Sequence, residues 1–179
     1  MSLKDLFGRK SSELDPLADL VLSKLRVGYY VDFDLTTWEV TDYNTYDIGA
    51  DSRSEEWELT SGRQKRYLER SEDDEVTWTF SWKLPLGAIE GNIQKQIIDN
   101  DEPPAQIVSK NKTYYLDASG PGHMYDSDNH SKEFIYWTFI DEEDEHFVTL
   151  EQWGETEFEA SEGHYVEEYQ FTNILPGVN

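Results

Sequence analysis

The residues best suited to chemistry in this 179-residue chain are its four histidines, His123, His130, His146 and His164, all in the second half. Two of them bracket Asp126 and Asp128 in Pro121-Gly-His-Met-Tyr-Asp-Ser-Asp-Asn-His130. Nitrogen and oxygen donors that converge in this way are what a metal ion requires. The spacing matches no ligand motif, and Asp126-Ser-Asp128-Asn129 lacks the glycine and the closing glutamate of a calcium loop. Segment 119–131, rich in Gly, Pro, Asp and Asn, reads as a polar hairpin loop, and no metal site is assigned. A second cluster is the acidic run Asp141, Glu142, Glu143, Asp144 and Glu145. Lying between two strand patterns, it reads as a solvated hairpin tip. There are no cysteines, which excludes thiolate nucleophiles, thiolate metal sites and disulfides. The nucleophile elbow, the phosphate-binding loop, the dinucleotide fingerprint and His-Glu-x-x-His are missing too. No catalytic residue and no cofactor is assigned.

Charge constrains the partners. The net charge is −23, and after Lys132 there is no Lys or Arg while 13 acids follow. Such a field repels nucleic acid phosphates and anionic lipid, and draws in cations, polyamines and basic protein surfaces. Aromatic residues make up 14% of the chain, which separates it from disordered acidic tails. No stretch approaches the roughly 18 apolar residues of a membrane span. The first ten residues lack the apolar run of a signal peptide, so the sequence points to the cytoplasm.

The elements that must position these side chains are mostly strands. Residues 1–15 form a leader. Asp15-Pro16 can cap a helix over about 16–25, with Leu17, Val21 and Leu25 on one stripe. From Gly28 the apolar period changes from 3.6 to 2. Tyr29, Val31, Phe33 and Leu35 alternate with polar residues, as do Trp38 and Val40, Trp57 and Leu59, and Trp78, Phe80, Trp82 and Leu84. Half-buried antiparallel strands read this way, one face packed and the other wet. Asn44, Gly49-Ala-Asp51, Ser61-Gly62 and Glu72-Asp-Asp74 supply the turns. Ile89, Ile93 and Ile97 predict a short helix in a connector over 85–105, which the Pro103-Pro104 pair ends.

Residues 106–179 then repeat the first half, 16–84. The step from Trp57 to Leu68 equals that from Trp137 to Val148, and Glu-Trp-Glu-Leu at 56–59 aligns with Tyr-Trp-Thr-Phe at 136–139. The expectation is a mainly β protein: a duplicated antiparallel meander forming two packed sheets or small barrels, with an N-terminal helix and a short central helix. Trp57, Trp78, Phe80, Trp82, Trp137 and Phe139 should form its dry interior, and the excess carboxylates should stay outside.

Arg-Val-Gly-Tyr-Tyr-Val-Asp-Phe (26–33), Trp-Glu-Val (38–40), Glu-Trp-Glu-Leu (56–59), Arg-Tyr-Leu (66–68), Tyr-Trp-Thr-Phe (136–139) and Leu-Glu-Gln-Trp-Gly-Glu-Thr-Glu-Phe-Glu-Ala (150–160) carry a resemblance. In this order they resemble the bacterial domain-of-unknown-function family 4178 over roughly residues 24–178. The Tyr29-Tyr30 pair departs from the small or acidic residue usual after that glycine. The resemblance implies a bacterial, cytosolic, non-enzymatic β module and transfers no catalytic residue.

The sequence therefore leads to a binding or adaptor module for a basic protein or cationic partner. Trp153, Tyr165 and the run Asp141 to Glu145 are its expected partner surface. The alternatives are an enzyme with a pocket between the halves and a sensor of cations or polyamines.

Overall fold

A computed structural model describes residues 20–49 and 52–177. The leader, the start of the expected N-terminal helix and the tip of the Gly49 turn lie outside them. Within the described residues, the run to Leu25 holds a single 3-10 turn, Leu22–Lys24. The strands of the first half are β1 (Tyr30–Phe33), β2 (Thr36–Asp47), β3 (Arg53–Ser61), β4 (Gln64–Glu72) and β5 (Val76–Lys83). Helix α1 (Ile93–Asn100) follows, capped by the Asn92 side chain, which accepts from the Lys95 N–H at 3.0 Å. The second half holds β6 (Gln106–Ser109), β7 (Lys112–Tyr125), β8 (Ser131–Ile140), β9 (His146–Gln152) and β10 (Phe158–Val166), and β11 (Thr172–Leu175) ends the fold. Among the described residues no helix is long and apolar enough to cross a membrane.

All eleven strands belong to one antiparallel sheet, in the order β11-β1-β2-β3-β4-β5-β10-β9-β8-β7-β6. A further pairing, β2 with β7, closes the eight strands β2–β5 and β7–β10 into a ring. The halves thus share one sheet, and each rolls over its own core on the side away from the ring. Trp38, Val40, Trp57, Leu59, Leu68, Trp78 and Phe80 pack under β1, Leu22, Leu25 and Phe171. Trp137, Phe139, Val148 and Leu150 pack under α1 and β6 through Ile93, Ile97 and Ile107. At roughly 25 cal/mol per Å² over ~150–250 Å², each large ring contributes on the order of 4–6 kcal/mol before ordering costs. The expected aromatic interior is therefore present, as two cores, except that Trp82 is only half-buried against the first.

Register relates the halves in detail. Val31 pairs with Trp38 as Ile107 does with Tyr114, and Tyr43 pairs with Trp57 as Ser119 does with Trp137. A bulge between Val40 and Asp42 recurs between Leu116 and Ala118. Trp57 pairs with Leu68, but Trp137 pairs with Leu150 and not with Val148. The acidic run lengthens the β8–β9 hairpin by two residues, a slip that keeps every side chain on its face.

Three sequence expectations are corrected. Leu35 is fully exposed: Asp34 and Leu35 both take positive φ (46° and 59°) and form the β1–β2 turn, as Lys110 and Asn111 do between β6 and β7. Asn44 lies inside β2, not in a turn. Most of 119–131 is strand. Gly122 is there because a Cβ would meet the Phe134 ring at 2.5 Å, so the glycine makes room for a ring instead of making a turn.

Candidate functional site

Alternation gives the ring strands a second face, and ring closure turns that face inward. On β3 it carries Ser54 and Glu56, on β4 Glu69 and Ser71, on β5 Thr77 and Thr79, and on β9 Thr149 and Glu151. These residues line a cavity of about 430 Å³ between the halves. A second cavity of about 320 Å³ lies on the same face and is lined by Asn44, Tyr67, Lys83 and Trp153. Tyr46, Glu56 and Glu151 line both cavities and so stand between them. The two cavities form a polar lumen inside an aromatic shell. This corrects the expectation that the acids stay outside: eight carboxyl residues line the two cavities, among them Glu56, Glu69 and Glu151, whose carboxyls burial perturbs.

The lumen centres on carboxyl groups. Glu56 and Glu69 are register partners across β3 and β4. Glu69 and Glu151 occupy equivalent places in the two halves, since Leu68 precedes the one as Leu150 precedes the other. The Tyr46 hydroxyl donates to Glu56 Oε1 at 2.9 Å, and Trp153 Nε1 donates to Glu151 Oε2 at 3.2 Å. Burial, then the nearby Glu69 and Glu151 charges, pushes Glu56 up to about 8. Burial also raises Glu69 and Glu151. Lys83 exerts an opposing pull on Glu151, but its ammonium is ion-paired with Glu159. Burial lifts the Tyr46 phenol far above its usual range, with Glu56 next in effect. The Ser54 hydroxyl lies near Glu69 and offsets part of that group's rise. Ser54 is 2% exposed, and its Oγ meets no protein atom in hydrogen-bonding geometry.

Of the residues expected to form a partner surface, Tyr165 lies beside the Asp141–Glu145 hairpin, its N–H donating to the Glu145 carbonyl at 3.3 Å, whereas Trp153 lies apart from them. Tyr165 is exposed and lines the larger cavity, whereas Trp153 lines the smaller one. Trp153 is half-buried, stacked on Phe134 at 4.6 Å with the Lys132 ammonium 5.0 Å above its ring. Glu142, Glu143 and Asp144 are exposed at the β8–β9 tip, and Asp144 and Asp117 raise the Tyr165 phenol beside them, after burial. Asp141 is buried. Its Oδ1 accepts the N–H groups of Glu145 at 2.9 Å and His146 at 3.1 Å, and its Oδ2 pairs with Lys112 and meets His146 Nδ1 at 2.9 Å. It is the staple of the hairpin, not part of a solvated tip. Of the other histidines, His123 meets Glu133 at 3.2 Å and His130 meets Asp126 at 3.1 Å, while His164 lies against Phe80 and Trp82 and opposite His146, with 6.2 Å between the imidazole centroids.

Sequence reasoning missed Glu56, Glu69 and Glu151. A usable signal was present: each stands two residues from a small hydroxyl residue in the same strand, as Ser54-x-Glu56, Glu69-x-Ser71 and Thr149-x-Glu151.

Fold and site together define an antiparallel β-barrel module with a carboxylate-lined lumen. The chain belongs to the domain of unknown function family DUF4178, which it matches over residues 26–168. It is 29% identical over 175 residues to an uncharacterized protein of Aquifex aeolicus (strain VF5), covering 97% of this chain and 96% of that one. No solved structure matches it.

Proposed function

We propose that the protein is a cytoplasmic binding module that takes a small organic cation, such as an amine, into its barrel lumen. One observation carries the reading: Glu56, Glu69 and Glu151 line one polar lumen, and among the described residues none of them is ion-paired. A bound ammonium supplies the missing counter-charge and donors for the acids and for Ser54 Oγ. The described carboxylates and imidazoles are not gathered in metal-ligand geometry, which favours an organic cation over a metal ion. The net charge of −23, together with Asp117 and Asp73 on the cavity wall, would draw cations to the mouth. The burial of Asp141 takes the anchor out of the expected basic-protein surface, so the lumen carries the reading. The register correspondence supports descent of the halves by duplication, which would place Glu69 and Glu151 as copies of one site residue.

Thermal denaturation with spermidine tests this, with sodium chloride at equal ionic strength as the control. A lumen ligand raises Tm by several degrees beyond salt. The variant carrying Glu56→Gln, Glu69→Gln and Glu151→Gln should lose that rise. No rise in the natural protein, or an undiminished rise in the folded triple variant, overturns the proposal.

A further inference from the structure

We propose that a cation entering the lumen displaces a proton held by the Glu56, Glu69 and Glu151 cluster, so that binding and proton release are coupled. This rests on the cation-binding reading above. Glu56 and Glu69 sit directly opposite each other on neighbouring strands, and Glu151 reaches the same space from β9. Carboxyl groups that share one buried wall and feel one another's charge do not all ionise without a counter-charge.

Among the described residues lining the two cavities, Lys83 is the one lysine or arginine against eight carboxyl groups, and its pull on Glu151 answers only part of their charge. From β2, Tyr46 donates a neutral phenol hydrogen to Glu56. From β5, Lys83 is ion-paired with Glu159 of β10. β7 adds the Asp117 carboxyl, and β8 and β10 add the Tyr136 and Tyr165 phenols. Glu56, pushed up to about 8, therefore keeps its proton at neutral pH until a cation offsets the neighbouring charges. When an ammonium group arrives, its N–H bonds meet carboxylate oxygens, one carboxyl O–H bond breaks heterolytically, and the proton passes to water. Ser54 Oγ, buried on the cavity wall near Glu69 but in hydrogen-bonding geometry with no protein atom, is a second sign that something polar completes the site.

Isothermal titration of the intact protein with spermidine at pH 7, in PIPES and in Tris, measures the coupling. Simple amines stay charged at that pH. The two buffers differ in ionisation enthalpy, so the difference in observed heat counts protons. The expected value is about one proton released per spermidine bound, with affinity rising by up to about tenfold per pH unit between pH 6 and 8. Glu56→Gln should at least halve the count. If spermidine binds with equal heats in both buffers, the coupling is overturned and the cation reading stands. If it does not bind at all, both fall.

Discussion

Trp82 and Glu162 face each other across the seam between β5 and β10, and each is the counterpart of the other in the two halves. The pairs Ser81 with Gly163 and Lys83 with Ser161 straddle them symmetrically. The Trp82 indole donates to Glu162 Oε1 at 2.6 Å. Asp47 and His123 hold the same relationship at the other seam, between β2 and β7. An internal two-fold relation thus runs through both seams, and the lumen lies between them.

The Trp82 seam predicts the cost of breaking it. Glu162 is 7% exposed and also pairs with Lys110. Glu162→Ala leaves the indole N–H without its partner, at about 1–3 kcal/mol. The expected loss in Tm is roughly 2–12 °C for a chain of this size. An unchanged Tm by calorimetry would show that the seam bond contributes nothing.

Gly163 lies on the lumen face beside that seam. A Cβ there would meet the Phe80 carbonyl oxygen at 2.6 Å and the Phe147 ring at 2.7 Å. Gly163→Ala therefore has to part β5 from β10, at about 1–3 kcal/mol. Denaturant unfolding should show a lower midpoint with a similar slope.

Glu56 makes stability depend on pH in an unusual direction. Its folded value is near 8, against about 4.3 for an unfolded glutamate. Between those values the unfolded chain releases the proton while the folded chain keeps it. Stability is therefore full below about pH 4.5, falls as the pH rises, and levels off above about pH 8. Glu56→Gln should flatten this decline, measured as Tm across pH 5 to 8.

Asp141 works in the opposite sense. Burial raises its pKa, but the Lys112 ammonium and the N–H groups of His146 and Glu145 outweigh it and hold the carboxyl well below its usual range. Its contribution is present above about pH 4 and is lost as the pH falls through the folded value. Asp141→Ala strands these partners and should cost about 3–5 kcal/mol, with the acid side of the stability profile flattened.

The cores were legible in the sequence because rings at two-residue spacing announce a packed face, and Trp57, Phe80 and Phe139 are buried as that spacing predicts. The lumen was not, because alternation cannot tell a polar face in bulk water from one folded inward. That difference is made by three register pairs between β2 and β7, Thr45 with Tyr125, Tyr46 with Met124 and Asp47 with His123, which close the ring. The Pro121-Gly122 stretch of β7 hid this contact, since its composition signals a loop while its geometry makes room for Phe134.

A crystal structure of the protein grown with spermidine would locate the cation. Spermidine is expected inside the barrel, with an ammonium nitrogen within hydrogen-bonding distance of Glu56, Glu69 or Glu151. Spermidine bound only at outer acids such as Glu142 and Glu143, with the lumen holding water alone, would contradict the lumen reading.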